Sequence, residues 1–278
     1  MFNIGVVTDE ISDDLEEAIE IAKSWELEHI ELHKIWGKNI CDVDKATLSK
    51  AIGMVRSSGL TVTSIDSLTL RCQLDNDEEY SQHIEHLLKS IEIAPLFDTN
   101  LVRLFSFRKE ENVEEKWDQI FEKMELPIKI AEWEGVILGF ENASSMNIGT
   151  SDDLEKLFEH FDSPNLKLIW DPGNAYAAGE KSPFPDGYEK VKGKIIHVHL
   201  KDAILDEQGK NVWKPIGQGD VDYRGQLEAL HKDSYKGVIA LETHCTSASG
   251  SKVEGTKESL DGLMEIIRDI EESYLVVD

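Results

Sequence analysis

Four stretches of the sequence are apolar, and each of them ends at a side chain that can bind a metal ion. Short apolar runs that end in polar residues are typical of buried strands. The candidate ligands are Glu141 after the run 136–140, Asp171 after 166–170, His199 at the end of 195–199, and Glu242 after 238–241. In folds built from parallel strands the chemistry lies at the carboxyl ends of the strands, so these side chains are candidates for one shared site.

The chemistry of such a site would be that of one divalent cation. Three carboxylates and one imidazole form a hard, mostly oxygen donor set, which Mn²⁺, Mg²⁺, Co²⁺ and Zn²⁺ can all occupy. His197 competes with His199 for the imidazole position, because residues two apart in a strand point to the same side. His199 lies nearer the predicted mouth of the site. We therefore expect His199 to be the ligand and His197 to be a hydrogen-bonded residue beside it.

The elements that must position these residues alternate along the chain between predicted strands and predicted helices. Apolar residues at helical spacing indicate the helices, and Pro127 is expected to kink or divide the helix over 113–133. The segments 34–43 and 212–220 are interpreted as loops, the second of them ordered. The predicted strands are 3–8, 29–33, 60–65, 101–105, 136–141, 166–170, 194–202 and 237–241.

Eight strands that alternate with helices predict parallel pairing and favour a closed barrel over an open sheet. The predicted fold is a single (β/α)8 TIM barrel with residues 1–278 as one domain, because no Ser/Gly linker or low-complexity tract marks a boundary. An open doubly wound sheet is the alternative. It would place the ligand-bearing strand ends in a line, and no glycine-rich dinucleotide fingerprint follows the first strand.

Composition limits the partners of this chain. The 55 acidic and 29 basic side chains give a formal charge of −26, which disfavours nucleic acid and anionic membranes. Cys41, Cys72 and Cys245 show no metal-ligand or redox spacing and are expected to be reduced thiols. The first residues lack a basic leader, and no apolar run is long enough to span a bilayer. A cytoplasmic protein is therefore expected.

Together with several short motifs, these residues resemble the xylose isomerase-like TIM barrels, a family often named sugar phosphate isomerases/epimerases. The resemblance runs over nearly the whole chain. Its motifs are Thr8-Asp9-Glu10, Ile30-Glu31-Leu32, Asp171-Pro172-Gly173-Asn174, His197-Val198-His199-Leu200-Lys201-Asp202, Ile216-Gly217-Gln218-Gly219-Asp220-Val221-Asp222 and Leu241-Glu242-Thr243-His244.

The resemblance implies one ion of the Mn²⁺ type held by Glu141, Asp171, His199 and Glu242, and in the family's ketose epimerases the two glutamates also serve as acid and base. An ion chelated by a carbonyl and a neighbouring hydroxyl acidifies the α-hydrogen, because it stabilises the enediolate charge. Returning the proton to the other face gives an epimer, and returning it to the adjacent carbon gives an isomer. Loss of a β-hydroxyl instead makes the enzyme a dehydratase or lyase.

One position departs from the family pattern. Many relatives have histidine three residues after the aspartate of the sixth strand, where this chain has Asn174, which cannot shuttle protons near neutral pH. The departure puts in doubt the close analogy with ketose 3-epimerases and leaves room for dehydratases of inososes or 3-keto-sugars. The candidates to bind substrate are Glu10, His33, Trp36, Asp66, Arg103, Asn174, His197 and Lys201. For the charged ones a structural ion pair or helix cap is the alternative, and for Trp36 it is packing under a loop.

The expected function is a metal-dependent isomerase or epimerase of a ketose, keto-sugar or cyclitol, with a dehydratase or lyase as runner-up. Apurinic-site endonucleases share this barrel, but they need further histidines, and Ser67, Phe107 and Asn174 stand at such positions here. A non-catalytic sugar-binding protein is disfavoured because all four ligands are present. The expected partner is a small sugar or cyclitol, without nucleic acid or membrane, and a homodimer is the oligomer considered.

Overall fold

The computed structural model describes residues 2–275, and it contains eight parallel strands that close into one barrel. Each strand pairs with the next along the chain, and the eighth pairs with the first. The barrel strands are β1 Asn3–Val7, β2 His29–Leu32, β3 Thr61–Ile65, β4 Leu101–Leu104, β5 Ile137–Glu141, β6 Leu166–Trp170, β7 Ile195–Leu200 and β8 Val238–Leu241. The prediction of a closed (β/α)8 TIM barrel is confirmed, and the open sheet is excluded.

Helices lie between the strands and pack their apolar faces on the barrel. They are α1 Leu15–Ser24, α2 Lys45–Ser58, α3 Asp77–Ile93, α4 Trp117–Glu134, α5 Ser151–His160, α6 Pro172–Ala177, α7 Tyr188–Val191, α8 Tyr223–Lys232 and α9 Lys252–Leu275. Polar side chains fix where helices begin: the Asp44 carboxylate accepts a hydrogen bond from the Thr47 backbone N–H at 2.8 Å. At the far end of α2, Gly59 adopts a left-handed conformation with φ of 80°.

Register brings the ends of the last four barrel strands to one level. Glu141 of β5 pairs with Ile169 of β6, two residues before Asp171. His199 of β7 pairs with Ala240 of β8, two residues before Glu242. Side chains two apart in a strand share a face, so the candidate ligands face the same end of the barrel interior.

Pro127 lies inside α4, which is one helix from Trp117 to Glu134, so of the two predicted effects, a kink or a division, the division is wrong. Proline removes the backbone hydrogen bond that the carbonyl four residues earlier would accept. That carbonyl belongs to Lys123, and it accepts instead from the Tyr80 hydroxyl at 2.7 Å. A side chain from α3 thus satisfies the group that the proline leaves without a partner.

Two hairpins extend from the carboxyl-terminal end of the barrel. The first lies within the predicted loop 34–43, and the second includes the start of the predicted loop 212–220. Lys34–Ile35 pairs with Lys38–Asn39, and Asp202–Leu205 pairs with Asn211–Lys214. Within the described residues, no helix is long and apolar enough to cross a membrane.

Candidate metal and active site

Glu141, Asp171, His199 and Glu242 come together on the floor of the barrel mouth, and each offers a donor atom within 4.8 Å of the other three. The His199 Nδ1 atom lies 3.4 Å from Glu141 Oε1 and 3.4 Å from Glu242 Oε2. All four side chains are buried. Three buried carboxylates this close together repel one another without screening by water, and either nearby positive charge or a bound proton relieves that repulsion.

The orientation of His199 is set by Glu31, which lies across the barrel on β2. The Glu31 Oε2 atom is 3.0 Å from His199 Nε2, and Glu31 Oε1 is 2.5 Å from His197 Nε2. Glu31 is ionised: burial raises its pKa, but the two imidazoles lower it more, and the result is well below the usual value. A carboxylate behind the far nitrogen is the common support of a metal-binding histidine.

The residues fit a divalent ion. With Nε2 directed at Glu31, the Nδ1 atom of His199 is buried, faces two carboxylate oxygens and has no hydrogen-bond partner. Burial lowers the pKa of His199, but the charges of Glu31 and Glu141 raise it by more, so the net pKa lies well above the usual value. The environment of Nδ1 therefore attracts positive charge, either a proton or a metal ion, and the oxygen-rich donor set suits a hard divalent cation.

Arg103 of β4 bridges the two glutamates through hydrogen bonds. Its Nη1 atom donates to Glu141 Oε2 at 3.0 Å and to Glu242 Oε1 at 2.8 Å. Burial raises the pKa of Glu242, whereas Lys201 and Arg103 lower it, and it lies well below the usual value. Both glutamates are thus held as carboxylates, with fixed directions for their oxygens.

Lys201 and Asn174 complete the polar floor. The Lys201 ammonium donates to Glu242 Oε2, and it lies 2.9 Å from Asp171 Oδ2 and 3.6 Å from Glu141 Oε1. The Asn174 amide donates to Glu141 Oε1 at 3.2 Å and to Asp171 Oδ2 at 3.0 Å. Burial raises the pKa of Asp171 to about 6, although Lys201 lowers it. The Asn174 amide group is therefore occupied by hydrogen bonds to these carboxylates.

A cavity of about 400 Å³ opens above this floor at the carboxyl-terminal end of the barrel. Asp171 and His199 lie beneath it and do not line it. The predicted site residues that line the cavity are Glu10, His33, Arg103, Glu141, Asn174, Lys201 and Glu242. The volume is sufficient for a small sugar or cyclitol, which is the size of substrate that we expected.

Trp36, Asp66 and His197 do not line this cavity, and their role in substrate binding remains a prediction. Trp36 occupies the turn of the Lys34–Asn39 hairpin, where the Lys50 ammonium lies 4.5 Å from its ring centre. Asp66 is fully buried 3.8 Å from Arg103 Nη1, and burial raises its pKa well above the usual value. His197 lies deeper in the barrel than His199, against Glu31.

Glu31 is not among the site residues predicted from the sequence, and neither are Trp213, His244 and Arg71, which are among the other residues that line the cavity. The sequence contains one signal for Glu31: it is an acid between the apolar residues Ile30 and Leu32 of a predicted strand. Trp213 is carried to the cavity by the 202–214 hairpin, and its ring meets that of His244 edge-on at 5.9 Å. His244 is held in turn by Glu10, whose Oε1 is 2.9 Å from its Nδ1.

Among curated proteins, this chain is 30% identical over 164 residues to an uncharacterized protein of Methanocaldococcus jannaschii, covering 57% of this chain and 54% of that one. It is 24% identical over 175 residues to an inosose dehydratase of Geobacillus thermodenitrificans, covering 58% and 55% of the two chains. The chain therefore spans about half the length of the curated relatives that it matches.

Solved structures of the same fold cover nearly the whole chain. A xylose isomerase domain protein of Planctomyces limnophilus superposes with a TM-score of 0.77 at 17% identity, covering 98% of each chain. A xylose isomerase-like TIM barrel protein of Mycobacterium smegmatis in complex with magnesium gives 0.69 at 18% identity, covering 90% and 88%. The 3-keto-D-glucoside 4-epimerase of E. coli gives 0.74 at 14% identity, covering 95% and 100%.

The model of one protein family matches residues 19–266, which is most of the sequence, and its description is a xylose isomerase-like TIM barrel. The characterised relatives named above are enzymes that act on sugars or cyclitols. The closed barrel of this chain is the fold that the family description names. The chain belongs to the xylose isomerase-like TIM barrel family.

Proposed function

We propose that this chain is a divalent-metal-dependent enzyme that moves the hydrogen next to the carbonyl of a ketose, keto-sugar or cyclitol. The observation that carries the proposal is the pair Glu141 and Glu242, which both accept a hydrogen bond from Arg103 Nη1 and both line the cavity. Two carboxylates fixed in this way can act on two positions of one bound substrate. Isomerisation or epimerisation is the function that we favour.

Glu141, Asp171, His199 and Glu242 would hold the ion. When bound, a divalent ion would stabilise the negative charge that develops on the carbonyl oxygen of the substrate. Mn²⁺ is the ion that we propose first. We propose that a single ion binds, because the two metal-capable groups found among residues 2–275 share His199. A multi-metal phosphodiesterase site is disfavoured for the same reason.

The protein's own residues supply the proton chemistry. In the proposed mechanism the carboxylate of one glutamate accepts the α-proton from the substrate and becomes a carboxylic acid. In isomerisation that acid returns the proton to the adjacent carbon; in epimerisation the other glutamate, first protonated by a substrate hydroxyl or by solvent, donates a proton to the opposite face. Burial and the charge of Glu242 raise the pKa of Glu141, but His199 and Arg103 lower it below the usual value. Both glutamates are therefore ionised and able to accept a proton.

A dehydratase is the second candidate, and two observations favour it. The Geobacillus relative is named an inosose dehydratase. Asn174 also stands where the family resemblance implies a histidine in many relatives. The amide of Asn174 donates to Glu141 and Asp171, so it positions carboxylates and cannot carry a proton. In a dehydratase, the glutamate that has accepted the α-proton would deliver it to the departing β-hydroxyl, which leaves as water, instead of returning it to carbon.

The experiment is to incubate the Mn²⁺-loaded protein in D₂O with a panel of ketoses, 3-keto-sugars and inososes and to follow the α-hydrogen by NMR. We expect deuterium to enter at the carbon next to the carbonyl, with a new epimer or isomer formed in parallel. An elimination product with no epimer would assign the dehydratase. Absence of exchange with every compound, together with less than one equivalent of bound metal, would contradict the proposal.

Glu141→Gln and Glu242→Gln provide the matched test of the two glutamates, with the exposed Glu125 changed to Gln as control. An amide oxygen can coordinate an ion but cannot accept the α-proton. Each active-site variant is expected to lose turnover at saturating Mn²⁺, whereas Glu125→Gln keeps it. If excess metal restored nearly full turnover to both, the glutamates would be ligands only, and Lys201 would be the next candidate for the base.

A further inference from the structure

The Lys201 ammonium occupies the side of the carboxylate cluster on which an ion would bind. Glu141 Oε1 and Glu242 Oε2 are the two oxygens that face His199 Nδ1. The same two oxygens face Lys201 Nζ, which donates to Glu242 Oε2 and lies 3.6 Å from Glu141 Oε1. The third contact of the ammonium, at 2.9 Å, is to the remaining carboxylate ligand, Asp171 Oδ2.

Arg103 uses the opposite oxygens. Its Nη1 atom donates to Glu141 Oε2 and Glu242 Oε1, whereas His199 Nδ1 lies against the other oxygen of each glutamate. We call Glu141 Oε1 and Glu242 Oε2, the two oxygens that face His199, the inner oxygens. The guanidinium is compatible with an ion on the inner oxygens, because it uses the other oxygen of each carboxylate. The ammonium is not compatible, since a divalent ion binds carboxylate oxygens at about 2.0–2.2 Å and would be in direct repulsion with a charge on the same atoms.

We propose that Lys201 and the divalent ion exchange places in this cluster. Without the ion, the ammonium neutralises Glu141, Asp171 and Glu242 and keeps them together. When the ion binds, the ammonium leaves the inner oxygens and turns into the cavity, where it meets negative charge on the substrate. The inference rests on the proposed metal site, and it adds a competition between the chain's own cation and the metal.

The structure allows this movement only at the end of the side chain. The Lys201 backbone is fixed because its N–H donates to the Tyr223 hydroxyl oxygen at 3.1 Å and its carbonyl accepts from the same hydroxyl at 2.7 Å. Its Cγ packs where a side chain on Gly173 would begin, 2.8 Å from an ideal Cβ at that position. The stem is therefore held, whereas the residue lines the cavity, into which the last bonds of its side chain can rotate.

The test compares Mn²⁺ affinity in the full-length wild-type protein, Lys201→Met and Lys252→Met, measured from free Mn²⁺ by electron paramagnetic resonance. Lys252 is a matched cation at the cavity rim, half exposed, with its ammonium 2.6 Å from the Asp9 carbonyl oxygen. We expect Lys201→Met to bind Mn²⁺ at least about tenfold more tightly and Lys252→Met to change by less than about threefold. Equal or weaker binding by Lys201→Met would overturn the exchange.

Thermal unfolding and a crystal structure of the wild-type protein with Mn²⁺ complete the test. Lys201→Met is expected to melt below the wild type without metal and to gain more than the wild type when Mn²⁺ is added. In the Mn²⁺-bound wild type, Nζ is expected beyond hydrogen-bond distance of Asp171 Oδ2 and Glu242 Oε2. If Nζ keeps both contacts beside the ion, the exchange is refuted while the metal site stands; if no variant binds Mn²⁺, the metal-dependent function fails too.

Discussion

Changing Glu31 to Gln is expected to weaken metal binding, although Glu31 is not itself one of the four proposed ligands. One oxygen of Glu31 faces His197 Nε2 at 2.5 Å and the other faces His199 Nε2 at 3.0 Å. A carboxylate can accept from both imidazoles at once, whereas a glutamine offers one acceptor and one donor. One of the two histidines must then meet an N–H group and move its own proton to Nδ1.

If that histidine is His199, the proton at Nδ1 points at Glu141 and Glu242 and removes the lone pair that would bind the ion. If the histidine that changes its proton is His197, the hydrogen bond that weakens belongs to a buried residue next to the site. Loss of such a carboxylate support typically lowers metal affinity 10- to 100-fold, which is about 1.4–2.7 kcal/mol. Because Glu31 is ionised and fully buried, the substitution also removes a full negative charge close to the ion.

The assay is isothermal titration of Mn²⁺ into the wild type, Glu31→Gln and Glu28→Gln, at a pH near 7. Glu28 precedes the same strand but is exposed, so it controls for the loss of one carboxylate from this part of the chain. Circular dichroism of each variant checks that the barrel has formed. An affinity of Glu31→Gln within about twofold of the wild type, in a folded protein, would refute the assignment of Glu31 as the support of His199.

Three other outcomes are expected. His199→Ala should release the metal and His197→Ala should weaken it less, as measured by elemental analysis; the reverse order would contradict the assignment along β7. Trp213→Ala should raise KM more than it lowers kcat, with Phe restoring much of the effect, because the ring borders the cavity. Glu10→Gln should cost about 1–3 kcal/mol in urea unfolding at pH 7, because Glu10 accepts two hydrogen bonds from His244.

The pH dependence of the Glu10 effect follows from its pKa. Burial raises the pKa of Glu10, but the hydrogen bond and charge of His244 lower it, and the net pKa is below the ordinary value of 4.5. The ionised group therefore adds stability that is complete above pH 4.5 and is lost as the pH falls through the lower folded pKa. The difference between wild type and Glu10→Gln should shrink in acid, and a constant difference from pH 7 to pH 3 would contradict this account.

The sequence was sufficient to predict the barrel and the clustering of four polar strand ends. Both depend on information that is local, since an apolar run and the side chain that ends it occupy consecutive positions. Asp171 and Glu242 each lie one residue past the end of β6 or β8, and closure of the barrel brings such ends together. The assignment of Glu141, Asp171, His199 and Glu242 as ligands remains a prediction.

The errors involve contacts between parts of the chain that are distant in sequence. The consequence of Pro127 depended on Tyr80, which comes from another helix. Glu31 meets histidines 166 and 168 residues later, and only the barrel's closure decides which acid lies opposite them. Trp213 reaches the cavity because residues 202–205 and 211–214 form a hairpin, whereas the sequence predicted a loop over 212–220.

The two buried cations of the site differ in a way that residue type alone does not predict. Arg103 and Lys201 both neutralise Glu141 and Glu242, but they do so from opposite oxygens of the same carboxylates. A planar guanidinium can bridge two carboxylates from outside with fixed geometry, whereas an ammonium on a flexible stem is a point charge that can move. The fold therefore provides one cation that orients the glutamates whatever else is bound, and a second whose position depends on whether an ion occupies the inner oxygens.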